Sequence, residues 1–222
     1  DDGAFLVNNL YARGLDWPRL RWMFTTCYLG SCMPLNYVTY GLDYILWGMN
    51  PLGYHLSSLL IHSVNAVVFY FLSLRLLRLA VPSSLPQLPY RLAAGVAALL
   101  FSLHPLRVEA VGWVLGREIA IAGFFFFLTL ICYLKAAEKE SIGQSCWGWM
   151  SAAWIFYALS LLGKEAALTL PLALFVLDFY PLKRFPGAWR EWSGTKARRI
   201  WCEKIPFLLI ALAAAIKAVL AK

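Results

Sequence analysis

Long apolar runs that do not alternate constrain this chain more than anything else in it. "RLAAGVAALLFSL" (91–103) and "IAIAGFFFFLTLICYL" (119–134) are examples. A transmembrane barrel strand needs about ten residues alternating between lipid and lumen, whereas crossing the hydrocarbon as a helix takes about 20 mostly apolar residues. These runs therefore point to helices in a bilayer. Five or six membrane segments can be read, at 54–76, 91–104, 119–135, 148–163, 166–180 and 205–221. Those at 91–104 and 166–180 are short, so they must extend into their flanks, tilt, or stop part-way against other helices. Only 14% of residues are charged and 61% are hydrophobic, against about a quarter charged in an ordinary soluble domain. The fold class expected is all-α: a polytopic helical membrane protein.

Ahead of the first span, residues 1–53 read as a loop region carrying one amphipathic helix, "PLNYVTYGLDYILWG" (34–48). Leu35, Val38, Leu42, Ile45 and Leu46 recur with helical period, and Asp43 lies on another face. Such a helix suits the membrane interface, as does a chain with ten Trp. Residues 54–222 then form the helical bundle. The chain opens without Met or a leader and closes inside an apolar run, which gives the expectation of a piece cut from a longer protein.

The formal net charge of +8 would suit nucleic acid, but orientation accounts for it. With residues 1–53 outside the cytoplasm, twelve basic residues fall on the inner side and six on the outer, as the positive-inside rule requires. The expected location is an integral, multi-pass membrane protein of a bacterial inner membrane or of the endoplasmic reticulum. Its site would face the periplasm or lumen. Seven of the twelve acidic residues gather on that same outer side, with Arg117, Lys164 and His104 at span ends.

Charges beside hydrocarbon are loops, snorkelling anchors or working groups. In "DDGAFLVNN", Asp1 and Asp2 could serve as general base or hold a divalent cation; a solvated acidic pair is the plainer reading. In "HPLRVEAVGWVLGRE" (104–118), Pro105 ends the preceding helix and leaves His104 at its C-terminus. Arg117 begins the next span at the positive end of a helix dipole, which calls for an anionic partner: Glu109, Glu118 or a lipid phosphate. "LLGKEAALTLP" places Lys164 and Glu165 in a tight turn, either snorkelling together or with Lys164 facing a phosphate. His55 and His62, seven residues apart, read with Ser58, Ser63 and Asn65 as helix-packing groups. Cys27 and Cys32 form either a disulfide or two thiols. No His/Cys set has zinc-ligand spacing, and the chain has no phosphate-binding P-loop, Rossmann fingerprint or nucleophile elbow.

Five stretches in order, "DDGAFLVNN", "PLNYVTYGLDYILWGMNPLGYHLSSLLIHSVNA", "LLFSLHPLRVEAVGWVLGRE", "LLGKEAALTLPLALFVLDFYPL" and "EKIPFLL", resemble the GT-C membrane glycosyltransferases. The likeness is to the branch of transmembrane O-mannosyltransferases that bear tetratricopeptide repeats, and to their bacterial relatives. The resemblance implies a GT-C-like membrane domain, a polyprenyl- or dolichyl-phosphate monosaccharide donor, and transfer on the extracytoplasmic side to an acceptor hydroxyl of a polypeptide or glycan. It implies Asp1 and Asp2 as catalytic carboxylates; the charges of the other outer segments fit this, with Arg117, Lys164 and His104 expected on the donor phosphate and Glu109, Glu118 and Glu165 as support for acceptor or metal. Attack opposite the phosphate would invert the anomeric centre. No cofactor is certain, a divalent cation is left open, and membrane lipids are the remaining partners. The chain departs from the pattern at Met33, where relatives usually carry His or Arg, and at Ile119, where they often carry Asp. The rival reading is a non-enzymatic transporter subunit or membrane scaffold.

Overall fold

In the computed structural model, which describes residues 2–81, 86–185 and 194–220, the chain is a bundle of helices. Among the described residues there is no strand, only an isolated bridge between Tyr28 and Ser31. One π-helical turn (Gly3–Val7) and one 3-10 turn (Leu10–Ala12) precede α1 (Trp17–Thr25) and α2 (Pro34–Trp47). Then follow α3 (Pro51–Ala80), α4 (Gln87–Leu103), the short α5 (Val108–Gly112), α6 (Arg117–Ser141), α7 (Trp147–Gly163), α8 (Leu170–Phe179) and α9 (Thr195–Leu220). Proline at the start sets α2 and α3 going, where a missing N–H costs nothing. Asn50 caps α3 by accepting from the backbone N–H of Leu52 at 3.1 Å.

Among the described residues two helices, α3 and α6, are long and apolar enough to cross a membrane. A third crossing is added if α4 and the segment after it, bent by 55° at Pro105, form one broken span. The segment at 148–163 becomes the 17-residue α7. The segment at 166–180 divides into a 3-10 stretch (Glu165–Thr169) and the ten-residue α8, so it is too short to cross as one straight helix. The chain is an all-α, polytopic membrane protein, and its surface suits hydrocarbon. On α4 alone Leu92, Val96, Leu99 and Leu103 form an exposed stripe.

Lipid is as apolar as leucine, so close packing of small residues and polar contacts, rather than burial from water, holds such helices together. The α6–α7 pair shows both. A Cβ placed on Gly163 would stand 3.0 Å from the backbone N of Ala122, and Ser160 Oγ donates to the Ala122 carbonyl at 2.7 Å. Tyr133, Ala136, Ala153, Tyr157, Leu174 and Phe207 fill the core between α6, α7, α8 and α9.

The far end of that core is tied by charge. The Tyr133 hydroxyl donates to fully buried Asp178 at 2.7 Å. Lys204 also pairs with Asp178, and Arg184 reaches Asp178 at 3.1 Å and Glu203 at 2.8 Å. Arg199 binds Glu140 at 2.7 Å. Three acids meet three bases here, so the network is neutral.

Because the neighbour of Gly163 is backbone, it cannot swing away. Gly163→Val is expected to destabilise the protein by about 1–3 kcal/mol, the usual cost of overpacking. Thermal unfolding of the detergent-solubilised full-length protein would register this as a lower midpoint; an unchanged midpoint would contradict the close approach.

Candidate functional site

The site is built on α2, whose faces are arranged for two environments. Leu42, Ile45 and Leu46 are exposed, while Asn36, Tyr37, Tyr40, Gly41 and Asp43 are buried against the bundle. The apolar stripe faces outward, and the polar and aromatic face supplies the protein contacts. This suits a helix lying in the interface, with hydrocarbon on one side and protein on the other.

Arg117, the first residue of α6, is 0% exposed, and its partner Asp43 is 3% exposed. Arg117 Nη1 donates to Asp43 Oδ2 at 2.5 Å and to Thr39 Oγ1 at 3.3 Å; Nη2 donates to the Tyr54 carbonyl at 2.6 Å, and Nε to Ser58 Oγ at 3.0 Å. The other Asp43 oxygen accepts from Ser57 Oγ at 2.6 Å. The guanidinium also lies 5.1 Å from the Tyr40 ring centroid. The anionic partner demanded by the helix dipole is therefore Asp43, rather than Glu109 or Glu118. With its donors turned inward to α2 and α3, Arg117 presents no free fork to a donor phosphate. Its place is behind the site, joining three helices. Sequence reasoning missed Asp43 because a lone acid on an amphipathic helix reads as solvated. The signal was that its neighbours on that face are Asn and Tyr rather than Lys or Glu.

The next residue, Glu118, pairs with Lys164 across α6 and α7. Both line a cavity of about 260 Å³ together with Ser31, Cys32, Met33 and Glu165. Asn36 Nδ2 holds the wall from α2 by donating to the Gly163 carbonyl at 3.1 Å, one of the orphan acceptors at the end of α7. Cys27 and Cys32 are joined as a disulfide, which resolves the alternatives left by the sequence and fixes the loop that forms one side. A second cavity of about 250 Å³, lined by Ala, Leu and Ile side chains of α7 and α9 together with Lys217, shares Cys32 and Glu165 with the first. A polar pocket and an apolar groove between α7 and α9 thus adjoin each other across Cys32 and Glu165. Glu165 stands at the junction, with no ion-pair partner among the described residues.

The opening segment folds onto the same end. Asp2 Oδ1 accepts from the Leu115 N–H at 3.0 Å; Asp1 lies outside the described residues. Leu6, Met23, Met33, Tyr37, Tyr40 and Val114 pack as one cluster that joins residues 1–53 to the 113–117 turn. A Cβ on Gly116 would collide with the Glu109 carbonyl, so only glycine allows that turn to close. Burial pushes the Tyr40 phenol well above its ordinary pKa; Arg117 opposes this, and Glu118 and Asp2 add to the rise. Tyr40 stays neutral and donates to the Val114 carbonyl at 3.1 Å. The Tyr37 phenol is raised as well, first by burial and then by Tyr28 and Glu118. Its hydroxyl is buried with no hydrogen-bond partner among the described residues.

Of the residues the sequence nominated, the structure brings Glu118, Lys164 and Glu165 around one cavity and places Asp2 on the adjoining turn. His104 and Glu109 are exposed and line neither cavity. His104 caps the 3-10 turn after α4, its Nδ1 accepting from the Leu106 N–H at 3.2 Å. His62 packs α3 on α4 through the Ser102 carbonyl at 3.1 Å, and Asn65 packs α3 on α6 by donating to the Ala120 carbonyl at 2.7 Å. Among the described residues no group of three or more His, Cys, Asp or Glu side chains is placed to hold a metal.

Comparison with known proteins adds sequence kinship to this geometry. The chain is 33% identical over 150 residues to protein O-mannosyl-transferase tmtc2 of Xenopus laevis. Over that stretch it resembles the protein O-mannosyl-transferase family. That alignment covers 68% of the chain and 17% of the relative. Human protein O-mannosyl-transferase TMTC4 is 31% identical over 171 residues, covering 70% of the chain and 22% of the relative. Human TMTC1, also named a protein O-mannosyl-transferase, is 27% identical over 198 residues, covering 82% and 21%. The chain therefore spans about a fifth of the length of the curated relatives it matches. No family model and no solved structure matches it.

If Arg117 is a buried strut rather than a phosphate ligand, removing either partner strands a charge. Asp43→Asn and Arg117→Gln should each cost about 3–5 kcal/mol, and the double variant should cost clearly less than their sum. Thermal unfolding of the four proteins measures this. Strict additivity would show that the two side chains do not interact.

Proposed function

We propose that the protein transfers a mannose-like hexose from a polyprenyl- or dolichyl-phosphate donor to a Ser or Thr hydroxyl of a protein, at the extracytoplasmic face of its membrane. The relatives' names as protein O-mannosyl-transferases support the reaction class. The observation that supports the donor class is that a polar cavity and an apolar one stand side by side, sharing Cys32 and Glu165 as wall residues. A polyprenyl phosphate sugar needs a polar seat for phosphate and sugar joined to an apolar path for its tail, and the aliphatic groove between α7 and α9 supplies that path.

In this reading the Lys164 ammonium meets the donor phosphate and offsets the charge that builds there as the glycosidic bond lengthens. Glu118 holds Lys164 in place. A carboxylate of the opening segment, Asp2 or Asp1, accepts the proton of the acceptor hydroxyl while that oxygen bonds to the anomeric carbon. The bond from that carbon to the phosphate oxygen breaks, and polyprenyl phosphate leaves. Attack from the side opposite the phosphate inverts the anomeric centre. Glu165, at the junction, orients the acceptor or the sugar. Arg117 acts through Asp43 by fixing α2, and is a positioning residue. No step is assigned to a divalent cation.

Transfer of labelled mannose from dolichyl-phosphate mannose to a Ser/Thr peptide, by the full-length protein in proteoliposomes, tests the proposal. Asp2→Asn or Asp1→Asn should lower kcat by about 100-fold, the scale of a lost general base. Lys164→Ala should raise the KM for the donor as well. Absence of transfer by folded wild-type protein across several lipid-linked donors would overturn the enzyme reading in favour of a transporter subunit or scaffold.

A further inference from the structure

At the ends of α3 and α6 farthest from the candidate site lies a third cavity, of about 400 Å³, unlike the other two in its chemistry. The two helices run side by side in the same direction, as Asn65 beside Ala120 and Arg75 beside Glu138 show. The cavity is the groove between them. Toward the middle of the two helices its lining is apolar, with Phe71 and Leu74 on α3 and Ile131 on α6. Its outer part carries Arg75 and Arg78 from α3, Lys135 and Glu138 from α6. The spacings 71, 75, 78 and 131, 135, 138 put each set on one helix face.

Three cations face one carboxylate here, so the groove is left with an excess of two positive charges. Glu138 pairs with Arg75, but Glu138 is 63% exposed and satisfies only one nitrogen. Arg75 Nε is buried without a hydrogen-bond partner among the described residues. The other two cations are steadied from the sides: Arg78 donates to Gln87 at 2.8 Å, and Lys135 sits 4.2 Å from the Trp149 ring centroid. Seventeen residues separate Ser58, at the candidate site, from Arg75. That is about 26 Å along the helix, close to the hydrocarbon thickness of about 30 Å. That separation suits a charged rim at headgroup depth on the opposite side of a bilayer.

We propose that this groove binds an anionic phospholipid, its phosphodiester against Arg75, Arg78 and Lys135 and an acyl chain running over Phe71 and Ile131. Basic pockets between membrane helices are a recurrent form of lipid recognition. Here the apolar floor leads away from the charges toward the membrane interior, as a two-part ligand requires. A free phosphate ion would use the rim and leave the floor empty.

The test is native mass spectrometry of the full-length protein released from nanodiscs of phosphatidylcholine containing rising fractions of phosphatidylglycerol. Wild type should retain phosphatidylglycerol in preference to phosphatidylcholine, and added inorganic phosphate should not displace it. Arg78→Gln combined with Lys135→Gln should weaken retention by at least ~5-fold, since each basic residue contributes on that scale. Glu138→Gln should strengthen retention, because it removes the one opposing charge. No preference for phosphatidylglycerol, displacement by inorganic phosphate, or full retention by the folded double variant would each overturn the proposal. Should the double variant fail to fold, unchanged or weaker retention by Glu138→Gln would overturn it alone.

Discussion

The buried pair of Arg117 and Asp43 is the interaction on which the candidate-site end of the molecule depends. Neither charge can be left alone at that depth, because an unpaired buried ion costs several kcal/mol. Each therefore specifies the other's position. Arg117 begins α6, Asp43 sits on α2, and further donors of the guanidinium reach Thr39 on α2 and Tyr54 and Ser58 on α3. One side chain thus sets the angle between the interfacial helix and two long helices. Glu118 follows Arg117 in sequence, so the same lock determines where the Glu118–Lys164 pair projects.

This arrangement explains why α2 carries its polar residues inward. A helix on a soluble protein turns its apolar face to the core; one that lies in the interface against a membrane bundle can do the reverse. Asn36, Tyr40 and Asp43 each make a contact with a different partner segment: the end of α7, the turn before α6, and the start of α6. The loop closed by the Cys27–Cys32 disulfide enters the same construction from the other side. The cavity is therefore bounded by parts far apart in sequence that meet only when the helices are packed.

Much of the architecture was legible in the sequence because hydrocarbon imposes length and composition on each helix. The long apolar runs, the break at Pro105 and the amphipathic helix ahead of α3 all follow from that constraint. Which charges pair was less legible. Lys164 next to Glu165 suggested a local pair, yet Lys164 binds Glu118, 46 residues away. Arg117 was read as needing an anion, correctly, but the anion came from α2 rather than from its own neighbourhood. His104 and Glu109 looked functional by proximity to Arg117 in sequence, whereas the turn at Pro105 leaves both exposed. Pairing across helices depends on helix rotation, which a single sequence does not encode at the level of one residue.

The two ends of the bundle present contrasting amphipathic grooves. One sets a polar pocket beside an aliphatic groove between α7 and α9, and the other sets three cations beside apolar side chains between α3 and α6. The first carries the central claim, that a lipid-linked donor is seated at this end. A photoreactive polyprenyl phosphate, incubated with the full-length protein in proteoliposomes, tests it most directly once the crosslinked peptides are mapped. The account predicts labelling within 158–165 and 210–218 that unlabelled polyprenyl phosphate suppresses. Labelling confined to other segments, or labelling that unlabelled lipid leaves unchanged, would contradict it.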